Sequence, residues 1–449
     1  MNATPTPFPQ EPLPAPSVLN GLKASFHTLG CKLNFAETSA LAQALHTLGV
    51  QTVLPHEEPD LCLVNTCSVT DTADKKCRSL IRRLHRLHPE AMIGVTGCYA
   101  QLKGEALAAL PGVVAVTGTA RKQELIALLQ EYLQTHSIRS AATPDPQLFE
   151  PACSREGRTR YFLKVQDGCN YFCTYCTIPM ARGRSRNGSI ALLVRQAQEV
   201  ARLGGKEIVL TGVNIGDYGR STGETLPNLL RALVAVDGIE RLRIGSIEPD
   251  LLTDELIDLV AAQPKLMPHF HIPLQSGSDE VLKLMHRHYT TELFARKTRQ
   301  ILQVLPDAFI GIDVIAGMRG ETDEHWGETK QFLQEIPFAA LHVFPYSERA
   351  GTRALSITPV VPEPVKAMRV SELISLSEQK YALFAQRFAG TVRPVLWERK
   401  QDAQGVIHGF TDNYLRVAYP YNESLPERIL PARLGPYNAA RDALSVTLL

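Results

Sequence analysis

No apolar run in this 449-residue sequence approaches the roughly 18 residues that a membrane-crossing helix needs, so no bilayer partner is expected. Charge of one sign is not in excess either. Lys plus Arg total 47 against 46 Asp plus Glu, so any nucleic-acid footprint has to be local rather than global. The opening stretch has neither the basic n-region nor the apolar core of a secretory signal. Prolines at 5, 7, 9, 12, 14 and 16 make it an extended or disordered leader instead. The nine cysteines are an odd number, which excludes complete pairing. With no export pattern they point to a reducing cytoplasm and to metal ligands or buried thiols. The length exceeds one ordinary domain, and two or three are expected.

What is present centres on Asp167-Gly168-Cys169-Asn170-Tyr171-Phe172-Cys173-Thr174-Tyr175-Cys176. Three thiols at C-x3-C-x2-C spacing follow a strand-like run, Tyr161–Val165, and can converge on one object. Tetrahedral zinc wants four ligands and usually shows paired C-x2-C hooks, whereas three suit a [4Fe–4S] cube with one iron left open. The spacing, with Tyr175 before the last cysteine, resembles the radical S-adenosylmethionine (SAM) superfamily. That resemblance implies SAM held at the open iron and a radical able to take hydrogen from an unactivated carbon, with the protein positioning the cofactor and excluding water. Zinc, or a group of buried thiols, is the alternative.

A second trio is spread along the amino-terminal region. Ser25–Gly30 leads to Cys31, Leu61–Val64 through Asn65-Thr66 to Cys67, and Ala91–Thr96 through Gly97 to Cys98. Ligands gather outside the carboxyl ends of parallel strands, so three strand-then-Cys repeats predict three sulfurs at one rim. Helical apolar spacing at Glu37–Leu48, Glu105–Leu110 and Gln123–Leu133 supports a parallel α/β domain. Cys62, Cys77 and Cys153 read as buried or linker thiols outside the sites. After Cys67 a helix carries Lys75, Arg78, Arg82 and Arg86 on one face, opposite Cys77, Leu80, Ile81, Leu84 and Leu87. Such a stripe can follow a phosphate backbone or be a solvated face.

From Tyr161 onward six strand candidates alternate with helices: Tyr161–Val165, Glu207–Thr211, Arg241–Ser246, His269–Pro273, Phe309–Ile315 and Leu341–Phe344. Six units rather than eight favour the open partial barrel that the resemblance implies over a closed TIM barrel. Functional residues of such barrels sit at carboxyl strand ends, which makes Asn214, Ser246, Glu248 and Gln275 candidate SAM contacts. Arg182, Arg184 and Arg186 follow the cysteine loop, placed to neutralise charge or hold substrate. From about Arg387 short strands Val392–Trp397, Gly405–Phe410 and Tyr414–Ala418, separated by turn residues, predict a small β-barrel.

A cysteine-bearing α/β domain, a radical SAM barrel and a small β-module together resemble the methylthiotransferase family, whose last piece is the RNA-binding TRAM domain. The resemblance implies an auxiliary [4Fe–4S] cluster on Cys31, Cys67 and Cys98, the radical SAM cluster on Cys169, Cys173 and Cys176, and two uses of SAM that together replace C–H by C–S–CH3. The expected layout is a leader over 1–20, the amino-terminal domain over 21–137, a linker over 138–157, the radical SAM core over 158–385 and a TRAM-like barrel over 386–449. Phe26–Asn34 and Val64–Thr70 are similar to the branch acting on N6-threonylcarbamoyladenosine in tRNA, which implies adenine C2 beside the anticodon as target. Electron and sulfur donors of unknown identity are implied as further partners. One departure is Gly317-Met318-Arg319-Gly320-Glu321-Thr322 in place of GFPGET, which puts the local loop shape in question. The alternatives are the isopentenyladenosine branch, the ribosomal-protein aspartate branch, another radical SAM enzyme with an electron-transfer cluster, and a non-catalytic RNA-binding protein with structural zinc.

Overall fold

The computed structural model describes residues 17–141, 148–154 and 158–449. Most of the Pro-rich leader and the middle of the linker lie outside the described residues.

The first unit is a six-stranded, all-parallel sheet in the order Gln51–Thr52, Lys23–Thr28, Leu61–Thr66, Met92–Gly97, Val113–Thr117, Arg139–Ala141. Its central strand Leu61–Thr66 is buried along its whole length, as expected where helices cover both faces. The helices Lys32–Thr47, Asp71–Leu87, Cys98–Ala108 and Glu124–Thr135 supply that cover. Asp71–Leu87 begins where Thr70 accepts a hydrogen bond from the Ala73 backbone N–H, and it buries Cys77, Ile81 and Leu84, a cap and a stripe of the usual kind. Leu87, expected on the buried face, is exposed at the helix end. The edge strand Arg139–Ala141 falls in sequence that reads as linker, because three residues carry no period of their own.

The second unit is an open arc of parallel strands in two three-stranded halves. One half orders Arg241–Arg243, Glu207–Thr211, Arg160–Lys164, and the other His269–Gln275, Phe309–Ala316, Ala340–Pro345. Among the described residues, isolated bridges of Leu242 with Leu266 and Ser246 with His271 join them. The third strand is shorter than its sequence run because the chain leaves the ladder after Arg243. Cys153 is no linker thiol. Ala152 and Ser154 exchange backbone hydrogen bonds with Lys164 and Phe162, which puts Cys153 into the barrel's core. At the positions departing from GFPGET, Met318 is fully buried and Arg319 reaches Glu348 and the Leu355 carbonyl, while the retained Glu321 accepts from the Gly317 N–H and Arg369. Side-chain bonds thus hold a loop whose shape the sequence left in question.

The last unit is a closed five-stranded barrel, Val392–Gln401, Val406–Thr411, Arg416–Pro420, Ala443–Leu448, Ile429–Asn438. Buried Val395, Trp397, Ile407, Val417, Leu434 and Leu444 fill it, and closure leaves no sheet edge. It is seated against the amino-terminal ends of the arc's strands by Arg160 to Glu398 and by Arg241 and Arg243 to the carbonyls of Pro394, Phe410 and Asp412.

Candidate functional site

The first trio stands at the carboxyl ends of three neighbouring strands, whose register sets Thr28 beside Asn65 and Thr66 beside Gly97. Gly30, at φ +100°, lies so close that a Cβ there would stand 2.8 Å from the Cys67 sulfur, so only glycine admits this turn. Asn34 donates to the carbonyls of Leu29 and Thr66, and Asn65 to that of Asn34, tying the cysteine loops together. Cys31 is exposed, while Cys67 and Cys98 are buried. Burial, with smaller contributions from its sister thiols, pushes the Cys67 thiol up to about 12, and burial likewise raises Cys98. The nearby thiols Cys62 and Cys77 are occupied elsewhere, by Ser25 and by the Cys67 carbonyl.

The second trio lies on one loop. Each sulfur accepts a donor: the Tyr171 N–H to Cys169 and the Ile178 N–H to Cys176, both at 3.4 Å, and the Arg287 guanidinium to Cys173 at 3.0 Å. Arg287 is also ion-paired with Glu248. Burial lifts the Glu248 carboxyl to about 7 against the opposing pull of Arg287. The segments that carry the two trios meet at the interface between the domains. Thr177, next to Cys176, donates to the carbonyl of Ser68, next to Cys67.

Arg182 spans this interface, and of its two readings its placement fits charge neutralisation and not substrate contact. Its side chain is 1% exposed. It donates to the Cys98 sulfur at 3.3 Å, to Glu37, to Asp167 at 2.9 Å and to Asn34 at 2.6 Å, which leaves nothing for a phosphate. Lys122, Lys164 and Arg186 complete the cluster around Glu37 and Asp167. Four cations stand against three carboxylates, Glu37, Asp167 and Glu150, the last accepting from the Lys122 N–H, so positive charge outnumbers negative beneath the first trio. Sequence reasoning missed this group because Glu37 reads as an ordinary helix residue; an acidic residue on the apolar side of a helix was the available signal. Arg184 is exposed, its guanidinium 5.6 Å from the ring of half-exposed Phe172 on the cysteine loop.

The four expected SAM contacts sit at or just beyond the carboxyl ends of three strands of the arc. Asn214 is the most telling. Its side chain is buried, yet neither its amide nitrogen nor its oxygen has a partner, and such a group wants a ligand. Gln275 is held at φ +68° beside a register shift in its strand, and Ser246 bridges to His271. Gln166, not foreseen, accepts from the Val213 and Asn214 N–H groups and donates to the Gly168 carbonyl, joining the cysteine loop to the next strand end.

The donor set can be tested for fit. Sulfurs around one zinc stand about 3.8 Å apart. Among the described residues, the donor atoms that close to within 4.8 Å of one another as a trio are those of His271, Asp313 and His342, and neither cysteine trio does so. Three thiols per site, with a guanidinium donating to Cys98 in one trio and to Cys173 in the other, are the donor set of an iron–sulfur cube rather than of a four-ligand zinc. Lys75, Arg78, Arg82 and Arg86 line a surface groove of about 490 Å³ with Ser79, His85 and Pro111.

Residues 23–118 match Uncharacterized protein family UPF0004, and residues 163–333 match the Radical SAM superfamily. The chain is 39% identical over 430 residues to the threonylcarbamoyladenosine tRNA methylthiotransferase MtaB of Bacillus subtilis, covering 92% of this chain and 95% of that one. It is 35% identical to MtaB of Thermotoga maritima, covering 92% and 93%. It is 33% identical to tRNA-2-methylthio-N(6)-dimethylallyladenosine synthase of Pelotomaculum thermopropionicum, covering 90% and 92%. Among solved structures, the radical SAM methyltransferase TsrM of Kitasatospora setae aligns with TM-score 0.54 at 16% identity, over 85% of this chain and 79% of that one, a likeness of fold alone. No helix among the described residues is long and apolar enough to cross a membrane. Two matched domains in one chain, and near full-length identity to tRNA-methylthiolating enzymes, settle the assignment: the chain belongs to the radical SAM tRNA methylthiotransferase family.

Proposed function

We propose that this enzyme methylthiolates C2 of N6-threonylcarbamoyladenosine beside the anticodon of tRNA, with one [4Fe–4S] cluster on Cys31, Cys67 and Cys98 and another on Cys169, Cys173 and Cys176. When bound, the clusters and SAM supply the one-electron and methyl-transfer chemistry by which a C–H bond becomes C–S–CH3. The observation that carries the reading is the pair of thiol trios on segments that meet at one interface, in a chain with relatives named as threonylcarbamoyladenosine tRNA methylthiotransferases at 39% and 35% identity. The dimethylallyladenosine relative at 33% makes that nucleoside the second reading.

The chain's own residues divide the work. Arg182 and its neighbours lay positive charge against the first trio, and Arg287 does so for the second, which opposes the burial that raises these thiols. The unpartnered amide of Asn214 is free to bind a polar cofactor group, with Ser246, Glu248 and Gln275 at adjoining strand ends. Phe172 and Arg184 offer planes against which an unstacked base can rest. The Lys75–Arg86 groove and the carboxy-terminal barrel, which we read as TRAM-like, take the phosphate backbone. An electron donor and a sulfur donor complete the reaction. The nine free cysteines suit a reducing compartment, and we assign the enzyme to the cytoplasm.

The test is anaerobic reconstitution followed by reaction with tRNA bearing either the threonylcarbamoyl or the dimethylallyl group. Nucleoside mass analysis should find the methylthio product from the first. Product only from the second would transfer the enzyme to the other branch, and product from neither would remove the proposal.

A further inference from the structure

Outside both thiol trios, the interior of the arc carries a set of donors that the reading above does not use. Along its second half the strands alternate. Phe270, Ile272, Ile310, Ile312, Val314 and Leu341 pack outward into the core, and His271, Asp313 and His342 turn the other way. Register sets Asp313 beside His342 and two residues along from His271. His271 Nε2 lies 2.7 Å and His342 Nδ1 3.1 Å from the same oxygen, Asp313 Oδ1, and the two nitrogens lie 3.3 Å from each other.

We propose that His271, Asp313 and His342 form a mononuclear site for a divalent first-row cation inside the barrel. Ligands about 2.1 Å from a metal stand about 3.0 Å apart at right angles and about 3.4 Å apart at tetrahedral angles. The three observed edges straddle the first value, so these donors mark one face of an octahedron. Two imidazoles and one carboxylate suit Zn²⁺, Fe²⁺ or Mn²⁺ better than Ca²⁺. Parallel strands locked into an apolar core hold the donors in place before a metal arrives.

A cation on that face would keep three coordination positions free on the strands' inner side, where Ser246 bridges to His271. They accept oxygen donors. On the function proposed above, and resting on it, the threonyl carboxylate and hydroxyl of the substrate are such a pair.

The experiment uses the full-length chain after anaerobic iron–sulfur reconstitution, washed with chelator, given Zn²⁺, desalted and analysed for metal. The readout is the difference in zinc between wild type and His342→Ala or Asp313→Asn. Zinc held in common by cysteines cancels from that difference, so it does not depend on how far the clusters fill. Wild type should retain about one zinc more per chain than either variant, and the variants should bind it at least ~10-fold more weakly. His342 is exposed enough to be replaced without loss of fold, and equal iron content in all three proteins checks this. Equal zinc in all three proteins overturns the site. With zinc bound, preference for threonylcarbamoyl tRNA over unmodified tRNA should fall in His342→Ala. An unchanged preference overturns the substrate contact alone.

Discussion

The two cysteine trios reach similar chemistry by opposite routes. Cys169, Cys173 and Cys176 share one loop, and a local turn brings them together. Cys31, Cys67 and Cys98 are separated by 36 and 31 positions and meet only because three parallel strands adopt one order and register. Their electrostatics differ in the same way. The loop trio has one guanidinium, Arg287, on one sulfur. The strand-end trio rests on a buried network drawn from both domains, with Arg182 donated by the segment that follows the loop trio. A local motif can be carried by its own loop, whereas a dispersed one needs the whole interface beneath it.

The largest effects should separate the trios by function. Cys169→Ala should abolish reductive SAM cleavage, read as loss of deoxyadenosine. Cys67→Ala should retain SAM cleavage while losing the methylthio product. If both variants lose SAM cleavage equally, the two trios are not distinct sites. Next comes the interface. Arg182→Met leaves Glu37 and Asp167 short of a buried partner and should cost about 3–5 kcal/mol, read as a lower urea midpoint. Arg184→Met, two residues away and exposed, should stay within about 0.5 kcal/mol. Equal effects would dissolve the contrast between a buried tie and a surface contact.

A third prediction concerns pH at the loop trio's side. Glu248 is raised from 4.5 to about 7, so the folded state binds the extra proton. Stability from this group is present below about 4.5 and is lost as pH rises to about 7. Glu248→Gln should flatten that fall by about 2–3 kcal/mol in urea titrations across the window. An unaltered pH profile would mean that the carboxyl is not held as described. The smallest effect belongs to the groove beside the first trio. Arg78→Glu with Arg82→Glu should weaken tRNA binding roughly tenfold and lower the salt slope by about one per lost phosphate contact. Unchanged affinity at fixed salt would leave the stripe a solvated face.

Much of this was legible in advance, for identifiable reasons. The strand Glu207–Thr211 matches its sequence run because apolar residues bounded by turn signals mark a buried strand. The strand Ile429–Asn438 carries no legible run, since Pro431, Gly435 and Pro436 interrupt any alternation, and barrel closure rather than propensity makes it a strand beside Ala443–Leu448, which the sequence reading also left out. Asn214 could be marked from its place after a strand, but not its unpartnered amide. Arg287 and the pairing of Arg182 with Glu37 carried no sequence signal, because their partners lie 39 to 145 positions away.

By itself the sequence determined the spacing of the loop thiols, the strand-then-cysteine repeat, the alternation of strands with helices and the basic face of Asp71–Leu87. All of these are written in near neighbours, where residue type and period act directly on backbone and burial. Tertiary structure alone decided which charges were buried. It set Arg182 between two domains and Arg184 in solvent, closed the terminal barrel, and turned His271, Asp313 and His342 toward one point. Those outcomes depend on contacts between segments far apart in the chain, where desolvation and register choose the partner.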